Sequence, residues 1–160
     1  MLFRSPHRIS HNAVHAADPQ TLAYALFDSP VGCAAWLWER RRAWSDCGGD
    51  VLSVFDRDEL CTLASIYWFG EGIATAMRLY HEHFKGGMGL TLSHRRTPAI
   101  EVPAGYGLFP KEIVFTPRAL VAANADLRRW SVMPKGGHFA PAEVPDLVAG
   151  ELRAFFRELR

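Results

Sequence analysis

A chain of 160 residues, 49% apolar and 22% charged, has the length and make-up of one ordinary globular domain and not of a disordered chain. Its formal net charge of +1 supplies no field that would draw nucleic acid or an acidic membrane surface, and no apolar run reaches the length of a membrane span. Met1-Leu2-Phe3-Arg4 lacks the apolar core of a secretory signal, and the three cysteines (Cys33, Cys47, Cys61) have no metal-ligand spacing, so reduced thiols in a cytoplasmic protein are expected.

Residues 1–16 are rich in His, Arg, Ser and Asn and read as a poorly ordered lead-in. Asp18-Pro19 then starts a helix to about Asp28, with proline where a first turn tolerates it. Ser29-Pro30 is a second start signal, a serine cap before a proline. The helix that follows, to Trp44, is apolar almost all round as far as Trp38, and such a helix requires cover on every side. Arg40, Arg41 and Arg42 near its end suit the helix dipole. Ser45 to Asp50 is a loop, and Asp50, after two glycines but with no apolar strand before it, reads as a turn residue and not as a nucleophile.

Asp56 and Glu59 form a capping box ahead of a helix from about Arg57 to Trp68. A further helix, about Glu71 to Phe84, places Ile73, Met77 and Tyr80 on one face. His81-Glu82-His83 spans different sides of that helix, which speaks against a metal site. Gly86-Gly87-Met88-Gly89 marks a change of composition. Ala99 to Pro103 and Ala104 to Phe109 read as two strands with a turn between them. Glu112 follows the second, where a carboxylate could orient a histidine. Thr116-Pro117 opens a short helix, Asn124-Ala125-Asp126 a turn, and Leu127 to Met133 a strand. The last helix, about Glu143 to Arg160, carries an apolar stripe expected to dock on a sheet.

Helices dominate to about residue 86, and strand then alternates with helix. That alternation implies a parallel sheet with crossover helices, but with only two or three strands, fewer than buried parallel sheets usually have. Marginal stability is therefore expected, since the inner faces of the last helix and strands have little to cover them.

Between the last strand and last helix lies Lys135-Gly136-Gly137-His138-Phe139-Ala140. Glycines free the backbone for a tight turn that aims the next side chain, so His138 is a candidate general base on a loop.

Several motifs in series, in order and with compatible spacing, resemble a known family. They are Pro19-Gln20-Thr21-Leu22-Ala23-Tyr24-Ala25-Leu26 with Asp28-Ser29-Pro30-Val31-Gly32, then Tyr67-Trp68, Arg78-Leu79-Tyr80, Phe109-Pro110-Lys111-Glu112 and Gly136-Gly137-His138-Phe139-Ala140. Over about residues 15–160 the chain resembles the C-terminal half of epoxide hydrolases, nearest to the microsomal-type group of the α/β-hydrolase fold. The resemblance implies an α/β fold: a C-terminal fragment made of a helical lid, residues 17–90, and the last strands and helices of the parallel sheet, residues 91–160.

It also implies roles. In the family a carboxylate attacks an epoxide carbon to form an ester, a histidine oriented by an acid activates water to hydrolyse it, and two lid tyrosines donate hydrogen bonds to the epoxide oxygen. His138 matches the base, Glu112 the orienting acid and Tyr80 one tyrosine. The aspartate nucleophile and the oxyanion-hole segment belong upstream in the family and have no match in this chain, and the other tyrosine aligns near His11. The implied substrate is a small epoxide opened to a vicinal diol, with no cofactor and no metal. Inactivity is expected unless a missing N-terminal half supplies the nucleophile. The alternatives are a non-enzymatic remnant or interaction module, possible as a homo-oligomer through its exposed strand edges, and another α/β-hydrolase such as a dehalogenase or esterase. Tyr80 in Arg78-Leu79-Tyr80 speaks against the last.

Overall fold

Helices fill the first half of the chain and a small parallel sheet organises the second. The computed structural model describes residues 2–3, 10–85 and 96–160. They fall into two units: a helical unit from residues 10–43 and 47–85, and a sheet unit from Leu2–Phe3, Trp44–Asp46 and residues 96–160. The glycine-rich stretch Gly86-Gly87-Met88-Gly89 lies outside the described residues.

The helical unit begins with α1 (Ser10–Ala17), a correction to the expected lead-in over 1–16. His11 and His15 are the reason the sequence misleads: polar by type, both are buried, at 5% and 7% exposure. Next come α2 (Pro19–Asp28) and α3 (Pro30–Trp44), with the boundaries their prolines announce. The Ser29 hydroxyl oxygen accepts the Gly32 N–H at 3.0 Å, so this cap is made by the side chain. Asp18 makes no such bond before α2. Asp50 caps a single 3₁₀ turn, Val51–Ser53, its carboxylate accepting the Leu52 N–H, in keeping with a turn residue.

In α4 (Arg57–Phe69) the capping box closes in both directions, Glu59 N–H to Asp56 at 2.7 Å and Asp56 N–H to Glu59 at 2.9 Å. Helix α5 (Ile73–Lys85) starts two residues later than expected. Ile73 and Met77 are buried with Ala23, Leu26 and Cys33, and Trp36, Leu37, Tyr67 and Trp68 pack around them. That cluster is the core of the helical unit, and Tyr80 shares the inward face of α5 at its border, half-buried. Cover of α3 is uneven: Cys33 is buried while Val31 stays 76% exposed.

In the sheet unit, β1 (Leu2–Phe3) pairs antiparallel with β3 (Val114–Phe115). The main ladder joins β2 (Ile100–Leu108) to β4 (Ala125–Val132) in parallel, with the α6 helix (Arg118–Asn124) in the crossover. One strand replaces the two expected before residue 110. Pro103 does not end it, because the register shifts between Ile100 and Pro103 and again between Ala104 and Gly105, and an irregular strand can hold a residue without an N–H. The expected turn at Asn124-Ala125-Asp126 is likewise absent, since α6 passes directly into β4. Thr116 does not cap α6, whose N-cap residue is Pro117.

The expected last helix is two: α7 (Ala140–Glu143) and α8 (Pro145–Arg157). Pro145 breaks them, since it has no N–H to donate and disfavours helical geometry at Val144, whose φ is −142°. Helix α8 and its C-cap residue Glu158 are tied to β4 by Arg129 to Glu151 at 2.5 Å and to Glu158 at 2.8 Å, and by Ser131 to Glu151. Phe155 lies over Gly105, where a Cβ would come within 3.0 Å of the ring. The stripe is covered unevenly: Val144 is buried, but Leu152 and Phe156 are more than half exposed.

Candidate active site

The glycine turn places a histidine against a carboxylate. Leu108 ends β2, and the chain continues to Lys111, whose N–H donates to the Gly136 carbonyl at 3.1 Å. A parallel bridge between Lys111 and Gly137 extends the β2–β4 pairing past both strand ends. This brings the segments after the two strands side by side. Glu112 on one meets His138 on the other, Oε1 to Nδ1 at 2.8 Å.

The same Glu112 oxygen accepts the Ile113 N–H at 2.7 Å and the Val114 N–H at 3.4 Å, which fixes the carboxylate on its own backbone. Burial alone would raise the Glu112 pKa. The His138 hydrogen bond and charge and the two backbone donors outweigh it and hold the carboxyl below the usual glutamate range. An ionised carboxylate can only accept, so His138 carries a proton on Nδ1 toward it, which leaves Nε2 to take up another. The imidazole packs edge-to-face on Trp44 and Phe139, at ring distances of 5.1 and 5.2 Å. It is still solvent-accessible, with 37% of its side chain exposed.

Tyr80 lies in the helical unit and is described there. Its ring meets His11 at 5.4 Å and His15 at 4.9 Å, both edge-to-face. Burial first, and the neighbouring Tyr67 second, raise the Tyr80 pKa, so its hydroxyl stays protonated as a hydrogen-bond donor. Trp36 Nε1–H donates to His15 Nε2 at 3.1 Å, so a neutral His15 carries its proton on Nδ1. Among the described residues that buried nitrogen has no hydrogen-bond partner. Burial, then the Arg40 charge, lowers the His15 pKa. This aromatic and imidazole surround was not legible from sequence beyond the alignment at His11.

His81 is engaged elsewhere, its Nδ1–H donating to the Ala16 carbonyl at 2.7 Å, and Glu82 faces Arg78 and Lys85. Among the described residues no His, Cys, Asp and Glu side chains group as metal ligands. All three cysteines are free. No described helix is long and apolar enough to cross a membrane.

A parallel β–α–β unit with a carboxylate after its first strand and a histidine after its second fits the C-terminal part of an α/β-hydrolase fold. Solved structures agree. The chain superposes on juvenile hormone epoxide hydrolase of the silkworm Bombyx mori with a TM-score of 0.81 and 25% identity, covering 94% of this chain and 39% of that one. With an enantioselective mutant of the Aspergillus niger epoxide hydrolase the TM-score is 0.72 at 26% identity, over 93% and 36% of the two chains. In sequence it is 33% identical to epoxide hydrolase 1 of Sus scrofa over 149 residues, 89% of this chain and 32% of that protein. It is 36% identical to juvenile hormone epoxide hydrolase 2 of Ctenocephalides felis over 146 residues, 87% and 31%. No family profile matches the chain. The chain belongs with the epoxide hydrolases, and it spans about a third of the length of the curated relatives it matches.

Proposed function

We propose that this chain is the base-bearing part of an epoxide hydrolase, acting on a small epoxide to give a vicinal diol. The observation that carries the reading is the His138–Glu112 pair at 2.8 Å. Tyr80 would donate its O–H to the epoxide oxygen as the C–O bond breaks and negative charge develops there. A carboxylate nucleophile supplied by a segment with no match in this chain would attack the ring carbon and leave an ester. His138 would then accept a proton from water through Nε2 as the water oxygen adds to the ester carbonyl. Collapse would break the acyl C–O bond, with the imidazolium returning its proton to the departing diol oxygen. The second water proton, left on the carboxyl, would pass to the oxygen opened from the epoxide by way of Tyr80, so that carboxylate and phenol are both regenerated. Glu112 would hold the tautomer and stabilise the imidazolium.

The test has two arms. Residues 1–160 alone should form no diol from an epoxide such as styrene oxide, and adding the nucleophile-bearing part of a relative should restore it. In the restored enzyme, His138→Gln should accumulate the alkyl-enzyme ester, seen as a mass increase equal to the epoxide. Diol formed by residues 1–160 alone would overturn the need for a second part. Absence of the ester in the variant would overturn the role of His138.

A second reading, an interaction module, draws on the exposed apolar side chains Val102 and Val132 of the sheet and Leu152 and Phe156 of α8. Sedimentation discriminates: a stable monomer at high concentration speaks against self-association. A reducing, cytoplasmic location is proposed from the three free thiols, and a fluorescent fusion would test it.

A further inference from the structure

The turn that carries His138 is fastened by two carboxylates, Asp46 from far upstream and Glu143 from the short helix that follows the turn. Asp46 Oδ2 accepts the Gly136 N–H at 3.0 Å. Glu143 uses both oxygens: Oε1 accepts the Phe139 N–H at 2.9 Å and Oε2 the Asp46 N–H at 2.7 Å. The His138 N–H itself donates to the Trp44 carbonyl at 2.9 Å. Every one of these groups belongs to the sheet unit, because Trp44–Asp46 is part of it although the residues on either side are not. The backbone is thus held on both sides of His138.

We propose that Asp46 and Glu143 are positioning residues for His138, a role that rests on reading His138 as the general base. Neither carboxylate bonds to the imidazole. They fix the turn's backbone, and with it the direction of the Cα–Cβ bond from which the ring must reach Glu112. The ring has two torsions, and Nδ1 meets Oε1 only if the turn presents it correctly. Without Asp46 the Gly136 N–H loses its acceptor, and without Glu143 two donors lose theirs. The turn then relaxes, the Nδ1–H bond to Glu112 opens, and the ring loses the contact that selects its tautomer.

The two residues differ in a way that makes the proposal specific. Asp46 accepts through one oxygen, and asparagine also has one side-chain carbonyl oxygen, so Asp46→Asn should be tolerated. Glu143 accepts through two, and glutamine has only one, so Glu143→Gln must leave a donor unpaired.

Nitrogen-detected NMR of ¹⁵N-histidine-labelled residues 1–160 reads the His138 tautomer and the Nδ1–H resonance directly. Wild type and Asp46→Asn are expected to share one Nδ1–H signal. Asp46→Ala and Glu143→Gln are expected to lose it to solvent exchange and to shift toward the Nε2–H tautomer, with the amide signals of the other histidines preserved. If Asp46→Ala does not fold, the contrast between Asp46→Asn and Glu143→Gln decides. A wild-type Nδ1–H signal in Glu143→Gln, or its loss in Asp46→Asn, overturns the proposal. The measurement needs no turnover, so a failure of the epoxide hydrolase reading would show in the diol assay and leave this result standing.

Discussion

Gly137 lies so close to Trp44 that a Cβ on it would sit 2.5 Å from the Trp44 carbonyl oxygen and 3.0 Å from the Asp46 amide nitrogen. Both atoms are backbone and cannot turn aside. Gly137→Ala should therefore push the turn off the Trp44–Asp46 segment and open the 2.9 Å bond from the His138 N–H to the Trp44 carbonyl. A cost of roughly 2–3 kcal/mol in folding stability is expected from such overpacking. Urea unfolding of the variant checks it, and an unchanged midpoint would contradict the close approach.

Glu112 gives the sheet unit a pH dependence of known sign. Its carboxyl titrates below the usual glutamate range in the folded chain, because the His138 and backbone hydrogen bonds outweigh its burial. A depressed folded pKa adds stability above the unfolded value, about 4.3, and that stability is lost as pH falls through the folded value. Glu112→Gln should thus be less stable than wild type at neutral pH, by about 1 kcal/mol given the pair's partial exposure. The difference should shrink only below about pH 4.3. Unfolding midpoints measured against pH would show a constant difference there if the linkage were absent.

Tyr80 should act at the other end of the scale. Burial and Tyr67 raise its pKa, so the folded state resists its ionisation more than the unfolded state does. The contribution is complete below the unfolded value of about 10 and is lost as pH rises through the folded value. Wild type should lose stability above about pH 10 more steeply than Tyr80→Phe. Tyrosinate absorbance during alkaline titration would identify the late-titrating phenol by its absence in the variant.

Hydrogen exchange should find the β2–β4 ladder poorly protected. Only these two strands pair in their sheet among the described residues, and Val102 and Val132 are 67% and 70% exposed. Protection scales with buried apolar contact, which is sparse here. Amides of β4 in residues 1–160 should exchange faster than those of α5 around the fully buried Met77. Slow exchange across Leu127 to Val132 would contradict this.

Much of the helical half could be read from the chain because its signals are local. A serine cap at Ser29, the Asp56–Glu59 box and prolines at Pro19 and Pro30 each act within about one helical turn, and each set a helix start. Local rules failed where a strand or turn took its shape from a neighbour. Pro103 looked like a break but sits within an irregular strand paired to β4, and Ala125 looked like a turn but is buried at the start of β4. His11 and His15 looked like solvated lead-in and are buried against Tyr80.

By itself the sequence determined the run of helices from Pro19 to the end of α5, the glycine turn before His138 and, through its motif series, the family and the pairing of His138 with Glu112. Only the tertiary structure decided what holds that pair. Asp46 stands 90 residues from Gly136 and 97 from Glu143, and no periodicity or cap relates them. Hydrogen bonds between such distant segments form only once the crossover has set β4 beside β2. The Gly136–Phe139 turn then comes to rest on Trp44–Asp46, with His138 aimed at Glu112.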